Sequence, residues 1–250
     1  MQSIQRAMTV ANVLATGAVE NGMSISELSK QCNLPLSTMH RLLQAMIKQG
    51  MVEQDHQTKL YRLGMIWLEY GLRVYDTVDY VSKVRPVLEN LMREVQESVY
   101  LSKPSGTEAI VMERIDCENN PIRIYDQLGI RIPMHIGAAN KAMLSAMPPI
   151  KVDEILTKLL PAEEIPLFKL ELSEIQRKGF AVSHAERTEG TSSFAVAIKD
   201  GFGEVIGAIS IGVVSFNLTE SRTEFLIEHV IKAGRNISEK LAYHGKSVSY

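Results

Sequence analysis

Apolar residues recur every three or four positions through the N-terminal third of the chain. They then alternate in short runs and return to the helical period near the end. Ile4, Ala7, Met8, Ala11, Leu14, Ala15 and Ala18 carry the first stretch and predict an amphipathic helix over a core. Ser24 and Glu27 form an S-x-x-E capping box, so a second helix is expected to start at Ile25 or Ser26, with Leu28 and Cys32 on one side. Asn33-Leu34-Pro35 ends it, because proline disfavours helical geometry in the residue before it. Pro35 suits the first turn of a third helix, Pro35–Gln49, closed by Gly50. There Met39, Leu42, Met46 and Ile47 repeat at helical spacing and are expected to be buried. Ser37, Thr38, Arg41, Gln44 and Lys48 fall on the other side.

Two strand-like runs, residues 51–54 and 60–63, flank the turn-forming stretch 55–58 and predict a small hairpin. Three helices followed by a hairpin make a winged helix-turn-helix, which offers its third helix to the DNA major groove. Short hydroxyls near that helix's start, then Arg41 and Gln44, suit phosphate and base-edge contacts. Lys59 and Arg62 on the wing are candidates for flanking phosphate. His40 divides between base reading and support of the helix, with support favoured. Ser37 and Thr38 have the plainer alternative of capping the helix.

Beyond Gly64, Met65–Tyr75 reads as a linker helix that can also pair subunits, and Asp79–Gln96 as a helix with Val81, Val84, Leu88, Leu91 and Val95 on one face. Strands are expected at 98–102 and 108–116 around a Pro104-Ser-Gly106 turn, and at 122–126. Short helices follow at 141–146 and 152–159, separated by Pro148-Pro149. A hairpin, 192–199 with 205–213, crosses Asp200-Gly-Phe-Gly203. A closing helix, Thr219–Tyr243, has Phe225, Leu226, Val230, Ala233, Ile237 and Leu241 at helical spacing. The fold class is α+β.

Ser3-Ile-Gln-Arg-Ala7, Ile25-Ser-Glu-Leu28, Leu34-Pro-x-Ser-Thr-x-His-Arg-Leu-Leu43, Gly50-Met-Val-Glu53 and Tyr61-Arg-Leu-Gly64, five pieces in register, resemble the IclR family of bacterial transcription regulators. Ile132-Pro-Met-His135, Lys141-Ala-Met-Leu-Ser-Ala146, Gly179-Phe-Ala-Val182, Glu186-x-x-x-Gly190 and Ile209-Ser-Ile-Gly212 are similar to the family's C-terminal half, so the resemblance spans nearly the whole chain. Leu36, Asn140 and Ala197 depart from it, standing where a polar or basic residue, a glycine and a proline are common. The resemblance implies a winged helix-turn-helix domain at 1–64, a linker helix at 65–76 and a GAF/PAS-like effector-binding domain at 77–250. It also implies a pocket that includes Ala138, Ala139, Ser183, Ser193, Ser210 and Gly212. Small residues and hydroxyls suit a compact polar ligand such as an organic acid; the plainer alternative is that they simply pack in a sheet. Arg123, Arg131 and Lys141 are candidate counter-charges for a carboxylate, with surface positions as the favoured reading.

The net charge of −2 changes this picture only once it is divided. Residues 1–75 hold seven basic against five acidic side chains, giving +2 and leaving −4 for the rest, a mild asymmetry that fits a DNA module joined to a non-DNA module. Palindromic double-stranded DNA, a small-molecule effector and a second copy of the chain, as a dimer or a dimer of dimers, are the expected partners. Cys32 and Cys117 fall in different expected domains, which argues against a disulfide. No leader or membrane-length apolar run is seen, so a cytoplasmic location is expected.

An enzyme is disfavoured. His135, His184 and Cys117 show no metal-ligand spacing, and there is no nucleophile elbow, P-loop or dinucleotide fingerprint. No metal or cofactor is expected. The remaining alternative is a winged helix used for protein contacts beside a ligand-blind second domain. Repression of a catabolic operon is the commoner behaviour of the family.

Overall fold

The computed structural model describes residues 2–16, 22–76, 80–120, 124 and 126–244, which form two compact units, Met1–Val78 and Asp79–Tyr250. Ala18, Asp79, Ile122 and Arg123, each named in the sequence reading, lie outside the described residues.

The first unit runs α1 (Gln2–Thr16), α2 (Ile25–Gln31), α3 (Leu36–Lys48), β1 (Val52–Gln54), β2 (Tyr61–Leu63) and α4 (Ile66–Asp76). The capping box is present: Ser24 Oγ accepts from Glu27 N while Glu27 Oε2 accepts from Ser24 N at 2.8 Å. The α2–α3 turn is tied twice, by Ser29 Oγ donating to Leu34 O at 2.6 Å and by Leu34 N donating to Ser29 O at 3.0 Å. Pro35 caps α3 from outside, so the helix starts one residue later and stops one residue earlier than its pattern suggested. Met39, Leu43 and Met46 are its buried residues; Leu42 and Ile47 are only half-buried.

The apolar face assigned to α1 also needs correction. Ile4 is 76% exposed and Met8 40%, while Val10 and Ala11 are buried with Leu28, Met39, Leu43, Val52 and Tyr61. Val10 lies within one turn of Ala7, Ala11, Val13 and Leu14, and that arc defines the inward face. β1 and β2 pair antiparallel, Val52 opposite Leu63, as the wing.

The second unit carries α5 (Tyr80–Val95), β3 (Ser98–Ser105), β4 (Glu108–Ile115), β5 (Arg131–Pro133), α6 (Ala138–Ala146), α7 (Pro149–Leu159), α8 (Ile165–Lys178), β6 (Ala181–His184), β7 (Thr191–Lys199), β8 (Val205–Val214) and α9 (Glu220–His244). The strands form one antiparallel sheet in the order β5-β4-β3-β8-β7-β6. Because side chains alternate across a strand, one face is large and apolar, with Val99, Leu101, Phe194, Val196, Ile198, Ile209, Ile211 and Val213. Helices α5 and α9 pack on that side, α9 so closely that a Cβ at Gly234 would lie 2.4 Å from Val196 Cγ2. All five apolar residues expected on the inner face of α5 are buried. In α9, Leu226, Val230, Ala233 and Ile237 are buried, and Phe225 and Leu241 are half-buried. On the other face the small residues Ala109, Ala181, Ala195 and Ala208 let α6 approach, backed by α7 and α8.

Three further expectations are corrected. β3 continues through Pro104 and Ser105, so the turn sits at Gly106, whose φ is +66°. Ile124 and Asp126 belong to no strand; the edge strand is Arg131–Pro133. Helix α8 went unseen in the sequence, because only Leu172 and Ile175 are buried while Leu167 and Leu170 face outward, which blurs the period.

Candidate functional site

The first surface is the outer side of α3. Ser37, Arg41, Gln44 and Lys48 are exposed along one stripe at steps of three or four residues, with His40 exposed beside them and Thr38 half-buried. Neither Ser37 nor Thr38 caps the helix, since its N-cap is Pro35, so both hydroxyls remain available. Arg41 and Lys48 make no ion pair among the described residues. On the wing, Asp55 Oδ1 accepts from Gln57 N at 2.9 Å and Thr58 N at 2.7 Å, and Lys59 takes a left-handed φ of +59° that turns it outward. Arg62 is exposed and lies 3.7 Å from Glu53. Leu36 is half-exposed at the start of α3, where it adds no charge.

The second is a cavity of about 680 Å³, its open mouth included, between the inner sheet face and the start of α6. Ala138, Ala139, Ser183, Ser193, Ser210 and Gly212 all border it. Sheet register explains why they meet: Ser193 pairs with both Ser183 and Gly212, and Ser210 with both Tyr100 and Ala195. Gly212 is a glycine for a physical reason, since a Cβ there would stand 3.1 Å from the Tyr100 ring.

The floor is polar and largely prearranged. Ser183 Oγ and Ser193 Oγ are 2.8 Å apart, and Ala138 N donates to Ser183 Oγ at 3.2 Å. Ser102 and Ser210 are 5% and 7% exposed and border the cavity, and their hydroxyls make no hydrogen bond among the described residues. The Tyr100 hydroxyl donates to Ile124 O, and burial, with Asp126 nearby, pushes its pKa up to about 12, so it stays a neutral donor.

Helix α6 starts at the cavity with Gly137 as N-cap, φ +87°; glycine supplies no cap of its own, and the first amides are met from other elements, Gly137 N by Glu186 Oε2 and Ala138 N by Ser183 Oγ. A helix N-terminus carries unpaired N–H groups and partial positive charge. The mouth is bridged by Arg187 and Asp126, 2.7 Å apart, and Arg114 Nη1 donates to Asp126 O at 2.7 Å.

Of the candidate counter-charges, Lys141 departs from its favoured surface reading and Arg131 does not. Lys141 is not a surface residue: it is 7% exposed, and Nζ lies 2.7 Å from both Glu171 and Glu186, so it is committed to the protein. Burial opposes its charge, but those two hydrogen bonds and the attraction of the two carboxylates together outweigh it and hold its pKa above the usual value. Arg131 is exposed but paired with Glu108 outside the cavity. Asn140 replaces a common glycine and uses its side chain, Nδ2 donating to Ile132 O and Pro133 O at 3.2 and 3.0 Å, which fixes β5 to α6.

Reading the sequence missed Tyr100, Ser102, Glu186 and the Asp126–Arg187 bridge. The shared parity of Tyr100 and Ser102 in one strand was the available signal for the first two. Nothing in sequence spacing brings Glu171, Glu186 and Lys141 together. No group of His, Cys, Asp and Glu among the described residues could hold a metal ion.

Comparison with known proteins gives matches over both units. Residues 3–56 match the IclR helix-turn-helix domain, and residues 72–239 match the bacterial transcriptional regulator IclR C-terminal domain. The chain is 31% identical to the HTH-type transcriptional regulator KipR of Bacillus subtilis, across 88% of this chain and 90% of that one. It is 28% identical to the HTH-type transcriptional repressor AllR of Klebsiella pneumoniae, across 96% and 90%. The crystal structure of the Thermotoga maritima IclR superposes with a TM-score of 0.77 at 23% identity, covering 97% of this chain and all of the other, which bears on the fold alone.

Proposed function

The chain belongs to the IclR family of bacterial transcription regulators, a DNA-binding regulator and not an enzyme, and from that premise we propose how its two units divide the work. Residues 1–64 read DNA, 65–76 link, and 77–250 bind the effector. Helix α3 enters the major groove with Ser37, Thr38, His40, Arg41, Gln44 and Lys48, and Lys59 and Arg62 hold flanking phosphates. The observation that carries this is the polar stripe on α3, left exposed while the opposite side of the same helix is buried.

A single module of this size binds weakly, so two copies read a palindromic operator, as a dimer or a dimer of dimers. Helix α4 supports pairing: it has no buried residue, and Leu68, Tyr70 and Leu72 are exposed, as is Met65 just before it. Repression is the favoured sign, and the cytoplasm the place of action. No described helix is long and apolar enough to cross a membrane.

The effector is a small carboxylic acid. Ala138, Ala139, Ser183, Ser193, Ser210 and Gly212 supply its surroundings, the α6 N-terminus its anion contact, and the Ser102 and Ser210 hydroxyls its remaining hydrogen bonds. It acts by binding the DNA-competent and incompetent arrangements with different affinity.

A shift assay on the DNA upstream of the protein's own gene, with random competitor at near-physiological salt, tests the reading. A specific shift that small acids release or tighten supports it. A protein that nowhere in the genome prefers one DNA over random sequence would instead be a protein-contact module. In the same assay Arg41→Ala should cost about 1–3 kcal/mol on operator alone if it reads a base, and weaken all DNA alike if it holds phosphate. Equal affinity for both DNAs before and after the change would remove Arg41 from the interface. Ser210→Leu should keep operator binding and lose the effector response, because the larger side chain fills the cavity floor. A normal response in that variant would mean the pocket lies elsewhere.

A further inference from the structure

Glu186 occupies an unusual position between the cavity and the core behind it. Its Oε2 accepts from Gly137 N at 2.8 Å, the amide that opens α6, and its Oε1 lies 2.7 Å from Lys141 Nζ. Lys141 holds Glu171 of α8 at the same distance. Glu186 itself borders the cavity. It is carried on a loop that begins with Ala185 at a left-handed φ of +53°, a conformation disfavoured for alanine, and ends at Gly190 with φ +73°. The loop's start is pinned by Ala185 N donating to Thr191 O at 2.8 Å.

A carboxylate therefore already sits where the helix end favours one, at a cavity that two buried serines, Ser102 and Ser210, also border with hydroxyls that make no hydrogen bond among the described residues. Two carboxylates cannot share that end without repulsion. We propose that Glu186 is a resident stand-in for the effector: an arriving carboxylate displaces it from Gly137, and Lys141, moving with it, passes the displacement to α8 through Glu171. This rests on the reading of the cavity as the effector site. It adds what that reading lacks, a part of the protein that must change when the site fills. No bond is made or broken; one acceptor at Gly137 N–H is exchanged for another.

Acetate is a sufficient probe, because the exchange needs only a carboxylate. Uniformly 15N-labelled full-length protein is titrated with it, and the amides of Gly137, Ala139, Ser210 and α8 are followed in wild type and in Glu186→Gln. Glutamine can still accept from Gly137 through its amide oxygen, which keeps the loop's anchor at that amide and gives up the one to Lys141, and it brings no charge. Wild type should show the Gly137 and α8 amides moving together, and Glu186→Gln should bind acetate about tenfold more tightly, the effect of removing one nearby like charge. In Glu171→Ala the Gly137 amide should still move while α8 stays still.

Equal or weaker acetate binding in Glu186→Gln overturns the exchange. If Ala139 and Ser210 still respond in that case, the cavity reading survives without it. Movement of Gly137 without α8 in wild type overturns the relay. No response at any of these amides, in either protein, overturns the proposal and counts against a carboxylate effector as well.

Discussion

Gly64→Ala should unfold the N-terminal unit and abolish DNA binding while leaving the C-terminal unit folded. A Cβ at Gly64 would stand 2.0 Å from Gly50 O and 2.8 Å from Gly50 C, and both are backbone atoms that no rotamer change can move. The contact is tight because Gly64 N donates to Met51 O at 3.0 Å, drawing the end of the wing against the end of α3. Gly50 is itself held at φ +70°, where α3 stops. Relief would require the wing to part from α3. The expected loss is about 3–5 kcal/mol, at the extreme end for a single substitution. A unit of this size holds only about 4–12 kcal/mol in all.

Trp67 is the chain's one tryptophan, and its indole N–H donates to Met51 O at 2.8 Å, beside the same junction. Its fluorescence thus follows this unit alone. Gly71→Ala is the control: nothing lies within 4 Å of its Cβ position and it sits within α4, so it should gain about 0.5–1 kcal/mol. An unchanged Trp67 melting transition in Gly64→Ala would show that the close approach is not needed for folding.

The contrast between these two glycines indicates what a sequence can disclose. The Tyr61-Arg-Leu-Gly64 string is legible as a motif, but the reason for its glycine is a backbone contact with a residue fourteen positions earlier. Local signals were informative where a physical rule acts within a few residues. The Ser24–Glu27 box, the break at Asn33–Pro35 and the alternation through β7 and β8 are of that kind. They lost force where burial is decided by a neighbour. Met8 fits the helical stripe of α1 as well as Val10 does, and only the position of α2 and α3 selects Val10. Leu167 and Leu170 face out of α8, so its period is hidden although Gly179 marks its end with a left-handed φ of +81°.

The cavity divides in the same way. Strand parity brings Ser183, Ser193, Ser210 and Gly212 to one face, so motif order alone sufficed to group them. Lys141, Glu171 and Glu186 come from a helix, another helix and a loop, and no periodicity links them.

That trio supports the second large effect. Lys141→Met should destabilise the C-terminal unit by about 2–3 kcal/mol at neutral pH, below the 3–5 kcal/mol typical of a fully buried pair because Glu171 and Glu186 keep some contact with water. Methionine keeps an apolar stem of similar length and removes the ammonium, which lies 5.7 Å from the Phe168 ring centroid, so the change acts mainly on the charge. Two carboxylates would then face one another without the ammonium between them.

The pH dependence has a definite sign. The pKa of Lys141 is raised above 10.5 on folding, so its contribution is complete below that value and fades as pH rises through the folded pKa. Denaturant unfolding of wild type and variant, followed by far-UV circular dichroism, should therefore show a constant gap at neutral and mildly alkaline pH that narrows above 10.5. A gap that persists unchanged at high pH would assign the loss to packing. No gap at pH 7 would mean that the two glutamates are solvated well enough to do without their lysine, and the coupling between the cavity lip and α8 would lose its physical basis.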